Sequence, residues 1–233
     1  MTFNKQGALA GLTLLLAALP SLVLPSGQEK LPFEDEIKAF EAQDAKKMPP
    51  KGGILFIGSS SIRLWKTLAK DFPRQPVINR GFGGSAISHS IQYTPRIVLP
   101  YKPKMIVFFA GTNDIASGRS PESVFGDWKT FVGGVQEKLP QTKFLYLGVT
   151  PAPSRWSKLA EVKKTNELIR DWCLVTPGVH FLDTFHYFTT PDGGPRPDLF
   201  LSDQLHLNEK GYDIWRKLVA PYLPWSLKDI KNP

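Results

Sequence analysis

Short apolar runs alternate with amphipathic stretches along most of this chain. The runs are Ile54 to Ile57, Val77 to Asn79, Met105 to Phe109, Phe144 to Val149 and Val179 to Leu182. Their length and their β-branched and aromatic content predict strands buried on both faces of a parallel sheet. Between them, apolar residues return at helical spacing. Ile62, Trp65 and Leu68 mark one helix, and Val124, Trp128, Phe131, Val132 and Val135 mark another behind Ser120-Pro121-Glu122. Trp156, Leu159, Leu168, Ile169 and Trp172 line a third, interrupted by Lys163 and Asn166. The last runs from about Glu209 through Tyr212, Trp215, Leu218 and Val219 to Tyr222. Ahead of the first strand, Pro32 opens a helix that runs to about Lys46, with Phe33, Ile37 and Phe40 on one face; Pro49 and Pro50 stop it. Strand, helix, strand at this spacing builds βαβ units and predicts a three-layer α/β fold. Ligands of such sheets bind beyond the carboxyl ends of the strands.

The amino end reads differently. Residues 6 to 28 carry no charge, and Leu14 to Leu16, Ala17, Ala18 and Leu22 to Leu24 make them strongly apolar behind Lys5. Residues 1–27 are therefore read as a signal peptide or an amino-terminal membrane anchor, and residues 28–233 as one domain. The expected location is outside the cytoplasm, periplasmic or secreted, with a membrane-anchored form as the other reading of the same run. Pro20 and Pro25 intrude where a cleavage site would lie, and no cysteine follows to carry a lipid.

Composition narrows the function classes. A hydrophobic fraction of 42% with 21% charged residues excludes a disordered or collagen-like chain. Lys and Arg number 29 against 21 Asp and Glu, a net charge of +8, yet adjacent basic residues come only as pairs such as Lys163-Lys164. That scatter predicts a solvated surface and no nucleic-acid partner. Cys173 is the single cysteine, which excludes an intrachain disulfide and any zinc cluster built on thiolates; it is expected to be buried beside Trp172.

Four short segments concentrate the candidate chemistry. Gly58-Ser59-Ser60-Ser61 follows the first strand, where one serine can cap the next helix or present a hydroxyl near free backbone N–H groups. Asn79-Arg80-Gly81-Phe82-Gly83-Gly84-Ser85-Ala86 fits a dinucleotide fingerprint at Gly81, Gly83 and Ala86. It follows the second strand, however, and no acid near position 105 would hold a ribose. Its glycines read better as backbone that approaches a small ligand. Gly111-Thr112-Asn113-Asp114 follows the third strand; Asn113 can aim an amide into the crevice or simply close a turn. Asp203-Gln204-Leu205-His206 precedes the last helix. There a carboxylate can hold the Nδ1–H of His206 while Nε2 faces a hydroxyl; metal binding is the competing use, without further ligands at a suitable spacing.

Together the four segments resemble the blocks of the SGNH hydrolases, the GDSL esterase and lipase superfamily. The resemblance runs from about Gly53 to Leu223 and is closest to the Gly-Ser-Ser-Ser branch and to platelet-activating-factor acetylhydrolase-like members. It implies a flavodoxin-like parallel sheet of about five strands. It implies Ser60 as nucleophile, His206 and Asp203 as the other triad members, and the N–H groups of Ser60 and Gly84 with the Asn113 amide as oxyanion donors. Ser59 stands where most of the family carries aspartate, which bears on how the Ser60 turn is held. No cofactor and no metal are implied.

The expected reaction is hydrolysis of a carboxylic ester through an acyl-serine. With no inserted lid evident, short acyl groups are expected, acetyl above all, on a small molecule or an O-acetylated carbohydrate. Lysophospholipids or longer acyl esters are the second reading, and a carbohydrate- or envelope-binding module without turnover is the third. Arg155 follows the fourth strand, at the same sheet edge, and is expected either to bind a carboxylate, phosphate or sugar hydroxyl of the substrate or to pair with a surface acid. Phe82 is expected to line the acyl pocket or simply to pack, and Arg80 and Arg63 are further candidate contacts.

Overall fold

The protein is described by a computed structural model. It divides into residues 1–30 and residues 31–233, and the structure describes Met1, Thr2 and residues 31–223. The expected leader, residues 1–27, lies outside the described residues apart from its first two. Among the described residues no helix is long and apolar enough to cross a membrane.

Five parallel strands form one sheet: β1 (Ile54–Gly58), β2 (Val77–Gly81), β3 (Met105–Phe109), β4 (Lys143–Leu147) and β5 (Val179–Leu182). Their order is β2-β1-β3-β4-β5, the flavodoxin-like arrangement. Alternation along each strand sorts side chains into two cores. Leu55, Ile57, Ile106, Phe108, Phe144 and Tyr146 face one layer, and Ile54, Phe56, Val107, Phe109, Leu145 and Leu147 the other.

The helices are α1 (Glu34–Lys46), α2 (Ser60–Arg63), α3 (Leu68–Asp71), α4 (Ile87–Ile97), α5 (Thr112–Ala116), α6 (Pro121–Lys138), α7 (Leu159–Val175) and α8 (Glu209–Val219). Ile37 of α1 and the buried faces of α4, α6 and α7 join the first core, while α2, α3 and α8 join the second. The β1-to-β2 crossover thus runs over one face and the β2-to-β3 crossover over the other. This puts the reversal of strand order between β1 and β3, the edge where such sheets open a crevice.

Two expectations about helices are corrected, and one helix is added. The helix expected at Ile62 to Leu68 is two short pieces, α2 and α3, with Trp65 between them donating its indole N–H to Asp71 at 2.6 Å. Helix α7 is continuous, and Asn166 does not interrupt it. Its buried carboxamide accepts from the N–H of Val149 at 2.7 Å and donates to its carbonyl at 3.0 Å, pinning the end of β4. Helix α4 has no counterpart in the sequence reading, because Ser88, Ser90, Thr94 and Pro95 disguise it. The burial of Ile87, Tyr93 and Ile97, and Tyr93 donating to the Pro32 carbonyl, hold it in place.

Candidate active site

Strand β1 ends in a turn that only glycine fits. Gly58 has φ +135°, and a Cβ there would stand 2.0 Å from the Phe109 carbonyl oxygen. Ser59 follows, buried, and donates its N–H to that same oxygen at 2.9 Å, so the ends of β1 and β3 are clasped. Ser59 occupies the cap position of α2, but its hydroxyl makes no capping bond; its carbonyl accepts from Ile62 and Arg63 instead. Ser60 is the first helical residue, and its Oγ lies 2.8 Å from His206 Nε2.

The loop that carries His206 is tightly knotted. Leu201 donates its N–H to the His206 carbonyl at 2.7 Å, and Gln204, at φ +55°, donates back to Leu201. Asn208 caps α8 through Lys210 and Gly211 and donates its amide to the Asp198 and Phe200 carbonyls. Asp203 uses both oxygens: Oδ1 accepts from the N–H groups of Leu205 and His206 at 2.9 and 3.0 Å, and Oδ2 meets His206 Nδ1 at 2.6 Å. Partial burial pushes the Asp203 carboxyl up, but the His206 and Leu205 N–H groups and the imidazole outweigh it and hold it at about 2. An ionised Asp203 can only accept, so Nδ1 keeps its proton and donates it to Oδ2, which leaves Nε2 bare to accept from the Ser60 hydroxyl.

Residues after β2 and β3 close the other side. Asn113, on α5, donates its amide to the Ser85 carbonyl at 3.1 Å, and its neighbour Asp114 accepts from the Ile87 N–H at 3.1 Å. Two adjacent side chains thereby grip the loop that starts with Gly84, which sits at φ +79°. Asp114 is fully buried, its second oxygen has no partner, and burial raises its carboxyl above the usual range. Ser60 and Asn113 line one small depression, floored by the buried side chains of Phe109, Leu207 and Trp215.

The other expected contacts divide. Arg80 is corrected to a structural role, and Phe82 takes the packing role of its two alternatives. Arg80 is buried in an ion pair with Asp44, donates Nε to Tyr101 at 2.7 Å and Nη1 to the Asn79 carbonyl, and lies over the Phe40 ring. Strand β2 continues through it, so its guanidinium ties α1 to the sheet. Phe82 is fully buried between Phe33 and Tyr93. Arg63 lies over Gly83, whose added Cβ would stand 2.6 Å from the guanidinium carbon. Arg155 sits on the turn Pro153–Lys158, beside Ser154, which donates its N–H to the Gln204 carbonyl at 3.0 Å. The sequence reading missed Thr150 altogether, and it gave no role to Asp114 or to the Tyr212 hydroxyl, because their partners come from distant segments. Among the described residues no three His, Cys, Asp or Glu side chains gather as a metal site.

Comparison with known proteins agrees with this architecture. Residues 58–214 match the GDSL-like Lipase/Acylhydrolase family. The chain is 32% identical over 178 residues to the platelet-activating factor acetylhydrolase IB subunit alpha1 of Bos taurus and of Homo sapiens, covering 72% of this chain and 73% of theirs. Its fold is similar to a GDSL-like lipase from Bacteroides thetaiotaomicron, with a TM-score of 0.70 at 20% identity over 80% of this chain and 96% of that one. It is also similar to a carbohydrate esterase family 3 protein from Talaromyces cellulolyticus, with a TM-score of 0.60 at 20% identity over 72% and 94%. A serine hydroxyl, an imidazole and a carboxylate in hydrogen-bonded sequence at the crevice of a five-stranded parallel sheet, with a family match over most of the chain, place this protein in the GDSL-like lipase/acylhydrolase family.

Proposed function

We propose that this chain is a serine esterase that removes short acyl groups, acetyl first among them, from a substrate outside the cytoplasm. One observation carries the reading: the unbroken relay from Asp203 Oδ2 to His206 Nδ1 at 2.6 Å and from His206 Nε2 to Ser60 Oγ at 2.8 Å.

In this mechanism His206 takes the Ser60 proton as Oγ attacks the ester carbonyl. Asp203 holds the ring in the Nδ1–H tautomer and offsets the imidazolium charge that forms. The oxyanion is met by the N–H groups of Ser60 and Gly84 and by the Asn113 amide. His206 then protonates the departing alcohol, and water, deprotonated by the same imidazole, releases the acid from Ser60.

Two features support a short acyl group. Phe109, Leu207 and Trp215 floor the depression and are already packed in the core, so a long chain would have to unpack them. The mammalian relatives also bear the name acetylhydrolase. The uncharged run at residues 6 to 28 supports the extracytoplasmic location, where O-acetylated carbohydrate is a fitting substrate class.

The test is hydrolysis of p-nitrophenyl acetate, butyrate, octanoate and palmitate by the full chain beside Ser60→Ala. Acetate turnover that falls by roughly 10⁴-fold or more in the variant is the expected result. Preference for octanoate or palmitate would overturn the short-acyl assignment, and turnover indifferent to Ser60 would overturn the mechanism.

A further inference from the structure

A second set of unmet polar groups lies beside the Ser60–His206 pair and takes no part in the steps above. It sits on the stretch after β4, from Thr150 to Arg155. Thr150 is buried and lines the same depression as Ser60 and Asn113, and its hydroxyl has no hydrogen-bond partner among the described residues. Arg155 is partly buried, and its Nε is sealed from solvent with no acceptor among the described residues.

The rest of the molecule shows how unusual Arg155 is. The sequence has nine arginines. Arg80, Arg96, Arg119, Arg170, Arg196 and Arg216 each meet a carboxylate. Arg63, Arg74 and Arg155 meet none among the described residues, and of these Arg63 and Arg74 are exposed. An exposed guanidinium stays hydrated and loses nothing by standing alone. A partly buried one with a sealed Nε forfeits hydrogen bonds that water would have made, and native folds seldom leave such groups unmet without a use for them.

Its surroundings connect Arg155 to both walls of the site. Ser154 donates to the Gln204 carbonyl, inside the Asp203–His206 loop. Helix α5, which carries Asn113, packs on the Pro153–Lys158 turn. Ala152 lines the Ser60 depression.

We infer that Thr150 and Arg155 form a subsite for an anionic group on the ester, a carboxylate or a phosphate, so that the substrate carries negative charge near the bond that is cut. A guanidinium presents a planar fork of donors that fits either group, and the threonine hydroxyl supplies another donor from the lining of the Ser60 depression. A neutral sugar hydroxyl could accept a hydrogen bond but would leave the charge unmatched. On a carbohydrate this means an acidic residue. The inference rests on the esterase reading above for the position of the cleaved bond, but not for the anion site itself.

Matched acetyl esters test it: 4-acetoxybenzoate against 4-acetoxybenzamide, with 4-acetoxyphenyl phosphate as the phosphate arm. The full chain is expected to favour an anionic ester by about tenfold or more in kcat/KM, through KM, and the preference is expected to fade with added salt. In Arg155→Gln the ratio falls close to one, and Arg155→Lys restores part of it. Arg74→Gln, which removes an exposed charge at the amino-terminal edge of the sheet, keeps the ratio of the parent. The arm with the larger preference identifies carboxylate or phosphate.

An anionic-to-neutral ratio that is the same in the parent and in Arg155→Gln would overturn the inference while leaving the esterase intact. If no ester is hydrolysed in a Ser60-dependent way, calorimetry with 4-hydroxybenzoate and phenyl phosphate still decides it. Affinity lost in Arg155→Gln supports the anion site, and equal or absent binding in both proteins refutes it.

Discussion

Tyr212 donates its phenolic hydroxyl to the main-chain carbonyl of Ser61 at 2.8 Å. This bond joins the last helix, which begins just after His206, to the turn that carries Ser60. The two halves of the relay come from residues 146 positions apart in the chain, and this bond helps fix their separation. Burial raises the Tyr212 hydroxyl far above the usual range, so it stays a donor at every working pH.

Tyr212→Phe should therefore cost about 1 kcal/mol of stability, the usual net value of one such bond. The esterase rate should fall several-fold through kcat, because the Ser60 turn is no longer held against His206. Urea unfolding and p-nitrophenyl acetate kinetics on the same preparation check both; an unchanged kcat would mean that the turn is held without Tyr212.

Asn113→Ala removes the amide that also donates to Ser85. Loss of one oxyanion donor is expected to lower kcat by about 10²- to 10³-fold with little change in KM. A variant that loses KM instead would assign Asn113 to ground-state binding.

Arg80 provides the test of a corrected expectation. Its guanidinium is paired with Asp44 largely out of water, so Arg80→Met leaves a half-buried carboxylate with Tyr101 as its remaining partner and should destabilise the fold by about 1–3 kcal/mol. Near-normal KM for p-nitrophenyl acetate is expected at a temperature where the variant is still folded. Thermal melting gives the first result and steady-state kinetics the second. A large KM effect without loss of stability would return Arg80 to the substrate.

Asp203 makes a prediction about acid. Its folded carboxyl lies at about 2, below an unfolded value of about 3.9. A depressed carboxylate contributes stability that is complete above the unfolded value and is lost as pH falls through the folded one. The stability gap between the parent and Asp203→Asn should thus be constant above about pH 5 and shrink between about pH 4 and pH 2. Urea titrations at stepped pH measure it; a gap independent of pH over that window would mean that Asp203 is not held as the structure shows.

Much of this protein was legible in its sequence because strand burial and chemistry leave local marks. All five strands lie where apolar runs predicted them, with ends differing by a few residues at β2 and β4. Parallel strands buried on both faces need continuous apolar runs, and short runs of this kind recur between the amphipathic stretches. Glycine at position 58 and the Asp203-to-His206 spacing are equally local, since φ +135° and a three-residue reach are set within one turn.

What lay beyond the sequence depends on which surfaces meet. Arg80 and Arg155 look alike in a string of residues, both flanking a strand near small residues. Asp44, Tyr101 and Phe40 arrive from distant elements to enclose the first, and no carboxylate among the described residues arrives for the second. Helix α4 was hidden for the same reason: its serines, threonine and proline contradict local helix propensity, and burial of Ile87, Tyr93 and Ile97 overrides it. Local pattern decides where strands and turns form because backbone geometry is a short-range property. The partner of a charge, and so whether it holds the fold together or waits for a ligand, is decided only when the layers close.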